Sequence, residues 1–158
     1  MSKISNQKYE EQAEALSLIR SIATAFDIMT KGQGGKYTGA IGSAGRGIID
    51  ALAIKRGAFV RPVPFKYIEL CEYTGLSSPT IASAMKRLIE HGFVTISGSR
   101  IARMAMLSLP GKAIAAFEQR QERWGNDFGN LITHSRITDV LSVLDEPEFE
   151  SHKEHEFL

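Results

Sequence analysis

The segment 65–110 constrains this chain most, because turn and helix signals fall there in a fixed order. Thr74-Gly75-Leu76 reads as a tight turn: Gly75 can take a positive φ and Leu76 can plug the turn into a core. Ser77 or Ser78 can cap the helix that follows. Pro79 falls in its first turn, where a missing N–H costs nothing. Ile81, Met85, Leu88 and Ile89 line up on one side of that helix, and Gly92 ends it. Upstream, residues 65–73 suit a short helix with Phe65, Ile68, Leu70 and Cys71 inward. Downstream, residues 93–97 alternate like a strand, Gly98-Ser99-Arg100 suits a turn, and residues 101–109 return. Helix, turn, helix and hairpin in that order is the local grammar of a winged helix-turn-helix.

The whole chain bounds the setting. Its 158 residues amount to one domain, or one domain with a dimerisation arm. A hydrophobic content of 43% is enough for a core, and the longest periodic segments are helical, so the expected class is mainly α (α+β). A formal net charge of +1 says little, but its distribution says more. Residues 54–112 carry nine Lys or Arg against three Glu, whereas 113–158 carry ten Asp or Glu against four Lys or Arg. The basic face therefore belongs to the middle segment. Cys71 is the only cysteine, which excludes an intrachain disulfide and fits a reducing compartment. No run of about 18 apolar residues is present, so no membrane span is expected. The first seven residues lack an apolar signal core, and the expected location is a bacterial cytoplasm, with the nucleoid when bound.

The flanks read as helices. In 8–29, Ala13, Leu16, Ile19, Ile22, Ala23, Phe26 and Met29 make one apolar stripe, which needs a partner surface in this domain or in a second subunit. Residues 31–47 hold seven glycines and read as a linker with backbone freedom. The Walker pattern fails there, since Tyr37 follows Gly35-Lys36 and Thr30 stands where the first glycine belongs. A helix over about 43–59, with Ile48, Ile49, Leu52, Ala53 and Ile54 apolar, is broken by Arg61-Pro62-Val63-Pro64. Pro110-Gly111 opens a long helix, with a break at Gly125 or Gly129. Ser135 can cap a last helix carrying Ile137, Val140, Leu141 and Leu144. The expected organisation is an N-terminal dimerisation helix (1–30), a glycine-rich connection (31–47), a winged helix-turn-helix (48–112), C-terminal dimerisation helices (113–145) and an acidic tail (146–158).

The helix over about 78–91 carries the chemistry. Its outer residues Ser78, Pro79, Thr80, Ala82, Ser83, Lys86 and Arg87 are small and polar at the start and basic one turn on. The small residues let the backbone approach duplex DNA, and the Thr80 and Ser83 hydroxyls can bond base edges or phosphates. Lys86 and Arg87 suit phosphates, as does the helix N-terminus around Ser77. In the hairpin, Arg100 at the tip and Arg103 on the return strand suit the negative potential of a minor groove.

These residues, with Gly92-Phe93-Val94 and Leu107-Ser108-Leu109-Pro110-Gly111-Lys112-Ala113, resemble the MarR family of bacterial transcription regulators over about 65–115. The resemblance implies an intertwined homodimer on a pseudo-palindromic operator, commonly a repressor and commonly released by a small-molecule effector. The expected partners are therefore double-stranded DNA, a second copy of the chain and such an effector. Two positions depart from the family pattern. Ser83 stands where a long polar residue is usual, and the wing's usual Asp-Arg pair is replaced by Ser99-Arg100. The competing reading is a winged-helix protein-interaction module, or a plasmid or phage replication-partition component, without sequence-specific DNA readout.

Other residues carry less. Cys71 sits among apolar residues and reads as core. His152 and His155, with Glu154 and Glu156, have metal-like spacing but no framework. His91 reads as a favourable helix C-terminal charge or a surface residue, and Trp124 and Tyr73 as packing. No local motif supports a catalytic triad, a Cys-His pair or paired carboxylates, so neither an enzyme nor a bound cofactor or metal is expected.

Overall fold

A computed structural model describes residues 3–55, 58–59, 61–124 and 134–145. The chain is mainly helical with one small antiparallel sheet. Helix α1 (Lys3–Met29) begins five residues before its apolar stripe suggests. It buries Ala15, Leu18, Ile19, Ile22, Ala23, Ala25 and Phe26, the three- and four-residue spacing of one helical face. That face packs against α2 (Gly42–Ala53), α5 (Gly111–Trp124) and α6 (His134–Ser142). Most of the stripe is covered within the chain: Ile19, Ile22, Ala23 and Phe26 are buried and Leu16 is half-buried against the same core, while Ala13 and Met29 are exposed. It does not require a second subunit.

Helix α3 (Tyr67–Thr74) and α4 (Ser78–Glu90) are joined by Gly75, whose φ of 75° gives the left-handed turn expected there. Half-buried Leu76 packs against the core, as expected of it. Leu70 of α3 and Ile81, Ala84, Met85 and Leu88 of α4 are buried, and α2 packs against both helices. Two expected core residues are not core: Ile68 is 60% exposed and Ile89 44% exposed. Ile89 lies at the edge of the stripe, and Ala84 takes the central position instead. Cys71 is half-buried against the core.

The hairpin strands are β2 (Val94–Gly98) and β3 (Arg103–Leu107), paired from Val94 opposite Leu107 to Gly98 opposite Arg103. A third strand, β1 (Val63–Pro64), lies on the other side of β3 with Val63 opposite Ala105, so the sheet order is β1-β3-β2. Strand β1 occupies the segment read only as a helix break. Proline lacks a donor, and an edge strand tolerates that loss. The sheet also explains why α2 ends at Ala53 rather than near Phe59. The Ala58 carbonyl accepts the Leu107 amide of β3 at 2.7 Å, and the Ala58 amide donates to the Lys55 carbonyl at 3.3 Å.

The glycine-rich connection is built, and it is not a free linker. Thr30 Oγ1 donates to the Phe26 carbonyl (2.8 Å) and accepts the Ala40 amide (2.9 Å). Asp27 Oδ1 accepts the amides of Ile41 (2.9 Å) and Gly42 (3.2 Å), and Asp27 Oδ2 pairs with Arg46. The end of α1 therefore caps the start of α2, where Ile41 itself offers no side-chain cap. Gly39 lies so close to the Asp27 backbone that a Cβ there would overlap it. A second α1–α2 pair, Arg20 with Asp50 at 2.9 Å, is solvent-facing on its Arg20 side. Its hydrogen bond and charge raise the Arg20 pKa further above its ordinary value. Exposed pairs of that kind contribute about 0–1 kcal/mol.

Ser135, the expected cap, is already inside α6, while Ile137, Val140 and Leu144 are buried and Leu141 half-buried, as their spacing suggests. The break near Gly125 or Gly129, the acidic tail and its histidines lie outside the described residues. Among the described residues, no helix is long and apolar enough to cross a membrane.

Candidate nucleic-acid interface

The start of α4 is fixed by its own hydroxyls. Ser77 is the N-cap: its Oγ accepts the Thr80 amide at 3.4 Å and lies 2.9 Å from Thr80 Oγ1. Ser77 and Thr80 are thus bonded to each other, while Ser78 and Pro79 complete an exposed first turn. Replacing Ser77 by alanine is expected to lower unfolding free energy by about 1 kcal/mol, the usual worth of such a cap. Urea denaturation would read this as a lower midpoint at unchanged slope; an unchanged midpoint would mean the cap is redundant.

One turn on, the two basic residues of α4 differ. Lys86 is exposed and has no ion-pair partner among the described residues. Arg87 is half-buried, and its Nη1 donates to Ser83 Oγ at 3.1 Å. The Arg87 Nε is buried without a hydrogen-bond partner, an under-satisfied state for a guanidinium. Ser83 therefore holds Arg87 along the helix, and Lys86 is the outward charge. Together Ser77, Ser78, Pro79, Thr80, Ala82, Ser83 and Lys86 make an exposed strip opposite the buried Ile81, Ala84, Met85 and Leu88.

The hairpin residues separate in the same way. Arg100 is exposed in the loop between β2 and β3. Arg103 is half-buried at the start of β3, its guanidinium 4.9 Å from the ring centroid of Tyr67 on α3. That cation–π contact ties the base of the hairpin to the helix preceding the turn. The stop at Gly92 is also braced. Ser108 Oγ donates to the Gly92 carbonyl at 2.6 Å, the Ser108 amide donates to Phe93, and Phe93 meets Phe26 edge-on at 5.1 Å. His91 packs edge-on against the same Phe26 ring at 5.6 Å, so it is more than a surface charge.

Around these elements Arg61, Lys66, Lys86, Arg100 and Lys112 are exposed, with no ion-pair partner among the described residues. Lys55 lies 3.8 Å from Glu69, whose carboxylate also accepts the Lys66 amide at the start of α3. The arrangement offers hydroxyls, an ordered helix start and unpaired cations, which suits anionic backbones. Away from it, an open cavity of about 440 Å³ lies between α1, the glycine-rich loop and α2, lined among others by Asp27, Lys31, Tyr37, Ser43 and Arg46.

Sequence reasoning passed over Asp27, Tyr67 and Ile101. Asp27 was detectable, because it continues the 19, 23 spacing onto the buried side of α1, and a buried carboxylate needs donors. Tyr67 carried no local signal, since its partner Arg103 is distant in sequence. Ile101 is 96% exposed at the hairpin tip, where the sequence reads simply as the start of a strand. No family model, curated protein or solved structure matches the chain.

Proposed function

We propose that this chain is a winged helix-turn-helix DNA-binding regulator of MarR-like type, with α4 as the helix that enters the major groove. The observation that carries the reading is the strip on α4. It is exposed, small and hydroxyl-rich at the helix start, and cationic at Lys86. The order α2-β1-α3-α4-β2-β3, with the sheet ordered β1-β3-β2, supports it, as does the hairpin whose tip carries Arg100. In such a module the second helix of the turn meets base edges through its N-terminal residues, while its flanks hold phosphates. Ser78, Pro79 and Thr80 are the residues nearest bases. Lys86 and Arg100 are backbone and minor-groove contacts. Arg87 and Arg103 chiefly hold the reading surface in shape.

Binding the full chain to a random-sequence duplex pool, with repeated recovery of the bound fraction, tests the reading. The expected product is a pseudo-palindromic site with half-sites about 34–36 Å apart. Recovery of no duplex at about 50 mM salt, where phosphate contacts are strong, would overturn it.

A homodimer would use the exposed C-terminal end of α1. Ile28 and Met29 of α1 are about half exposed beside Ala25 and Ala116, in a groove bordered by Arg120 and Arg123. A paired copy would cover that groove. Sedimentation is expected to give a dimer for the native chain at micromolar concentration, and a monomer for the double variant Ile28→Glu, Met29→Glu. A native monomer would remove the two-fold operator from the proposal. A small-molecule effector, if one acts on this chain, would have the open cavity of about 440 Å³ between α1 and α2 as its candidate site.

A further inference from the structure

The tip of the hairpin is anomalous in composition and in order. Loop tips favour Gly, Asn, Asp or Ser, which suit turn conformations and water. Here the tip carries Ile101, which is 96% exposed, the greatest exposure among the exposed large apolar residues of the described chain. An apolar residue so placed contributes almost nothing to the core. A single exposed apolar side chain is ordinary on a protein surface; what sets Ile101 apart is the turn that presents it.

The tip is braced on both sides. At its start, Gly98 has a φ of 85°, and a Cβ there would overlap the Ala102 carbonyl oxygen. Across the tip, the Ala102 amide donates to Ser99 Oγ at 3.0 Å. At its base, Gly98 pairs with Arg103, whose guanidinium stacks on Tyr67. The loop therefore carries the consecutive exposed residues Arg100 and Ile101 on a braced turn tied to α3 through Arg103. Isoleucine is also stiff about χ1, so little side-chain freedom is lost when it is fixed by a partner. A cation beside a rigid apolar wedge matches one chemistry in duplex DNA. The cation meets the negative potential of a narrow minor groove, and the wedge enters between base pairs.

Resting on the DNA-binding reading above, we propose that Ile101 is a minor-groove wedge that partly unstacks a base step and bends the duplex, with Arg100 holding the adjacent groove. The favoured step is a pyrimidine–purine step, because such steps unstack most easily. Ile101 thereby adds specificity through DNA deformability at a position where no base edge is hydrogen-bonded. This suits a reading helix with few long polar side chains.

The test uses the full chain and a selected duplex carrying donor and acceptor dyes at its ends, so that energy transfer reports bending. The native chain is expected to bend the duplex by roughly 20–90°. Ile101→Ser should bind the same duplex with the bend largely lost, and Ile101→Leu should keep it. Moving the pyrimidine–purine step away from the hairpin position should weaken native binding but leave the serine variant indifferent. Loss of binding by Ile101→Ser alone, with Ile101→Leu bound and bent, would also place Ile101 in the interface. A native complex that is straight, or a serine variant as bent as the native chain, would overturn the wedge while leaving DNA binding intact. Failure of the native chain to bind any duplex would instead remove the DNA-binding reading, and the wedge with it.

Discussion

Replacement of Asp27 by alanine is expected to destabilise the protein by about 3–5 kcal/mol, the largest loss expected of any single polar side chain here. Asp27 is only 6% exposed, and it joins three partners. Its Oδ1 accepts the amides of Ile41 and Gly42, and its Oδ2 pairs with Arg46. Alanine leaves two buried amides without an acceptor, at about 1–3 kcal/mol each. Arg46 is partly solvent-facing, so its own loss is smaller than that of a fully buried ion-pair partner. Since a domain of this size is stable by about 5–15 kcal/mol, the variant should lose a large share of its stability. Asp27→Asn separates the contributions, because its amide oxygen still accepts Ile41 and Gly42 while the charge is gone. It should recover roughly half of the loss. Urea denaturation of the three proteins checks the order native, then Asn, then Ala. An alanine variant within about 1 kcal/mol of the native protein, the range of an ordinary surface substitution, would show that the α1–α2 junction does not depend on this carboxylate.

The second large effect concerns binding. Lys86→Glu is expected to weaken association with a selected duplex by about a hundredfold, or roughly 3 kcal/mol. Lys86 is the outward cation of α4, and reversal places a carboxylate against phosphates instead of an ammonium. The fold should be untouched, since the residue is exposed and in no ion pair among the described residues. A matching change at Arg87 would be less informative, because Arg87 is bonded to Ser83 and half-buried, so its removal disturbs the helix surface as well as the charge. Titration by fluorescence anisotropy, with circular dichroism as a control for folding, reads the difference. Equal affinity for the native chain and the Glu variant would mean that α4 does not face the DNA backbone.

What could be read from sequence alone was governed by how local each signal is. The Gly75 turn, the Ser77 cap, Pro79 in the first turn and the stop at Gly92 depend on neighbours within four residues, and all four appear where the residues place them. The first hairpin strand lies one residue later than its alternation suggests, and the return strand is two residues shorter at each end, because alternation alone does not say which residues pair. Strand β1 was illegible, because a two-residue strand that follows one proline and contains another carries no periodicity and pairs only with the distant β3. The glycine-rich segment misled for the same reason. Gly39 looked like freedom, and in the fold it permits close approach to Asp27, a contact that exists only once α1 and α2 are packed. For the candidate interface, residue types pointed to faces that the fold leaves exposed, but bonding among them did not show. Ser83 holding Arg87, and Tyr67 holding Arg103, move two cations from outward contacts toward support of the surface.

The most direct measurement of the central claim is a salt series. Affinity for the selected duplex would be measured for the native chain and for Lys86→Ala at several ionic strengths. The account predicts a linear fall of log affinity with log salt, with a slope of several units for the native chain. For Lys86→Ala it predicts a slope shallower by about one unit, as one phosphate contact is lost. A native slope near zero, or slopes that coincide for the two proteins, would contradict the placement of α4 on duplex DNA.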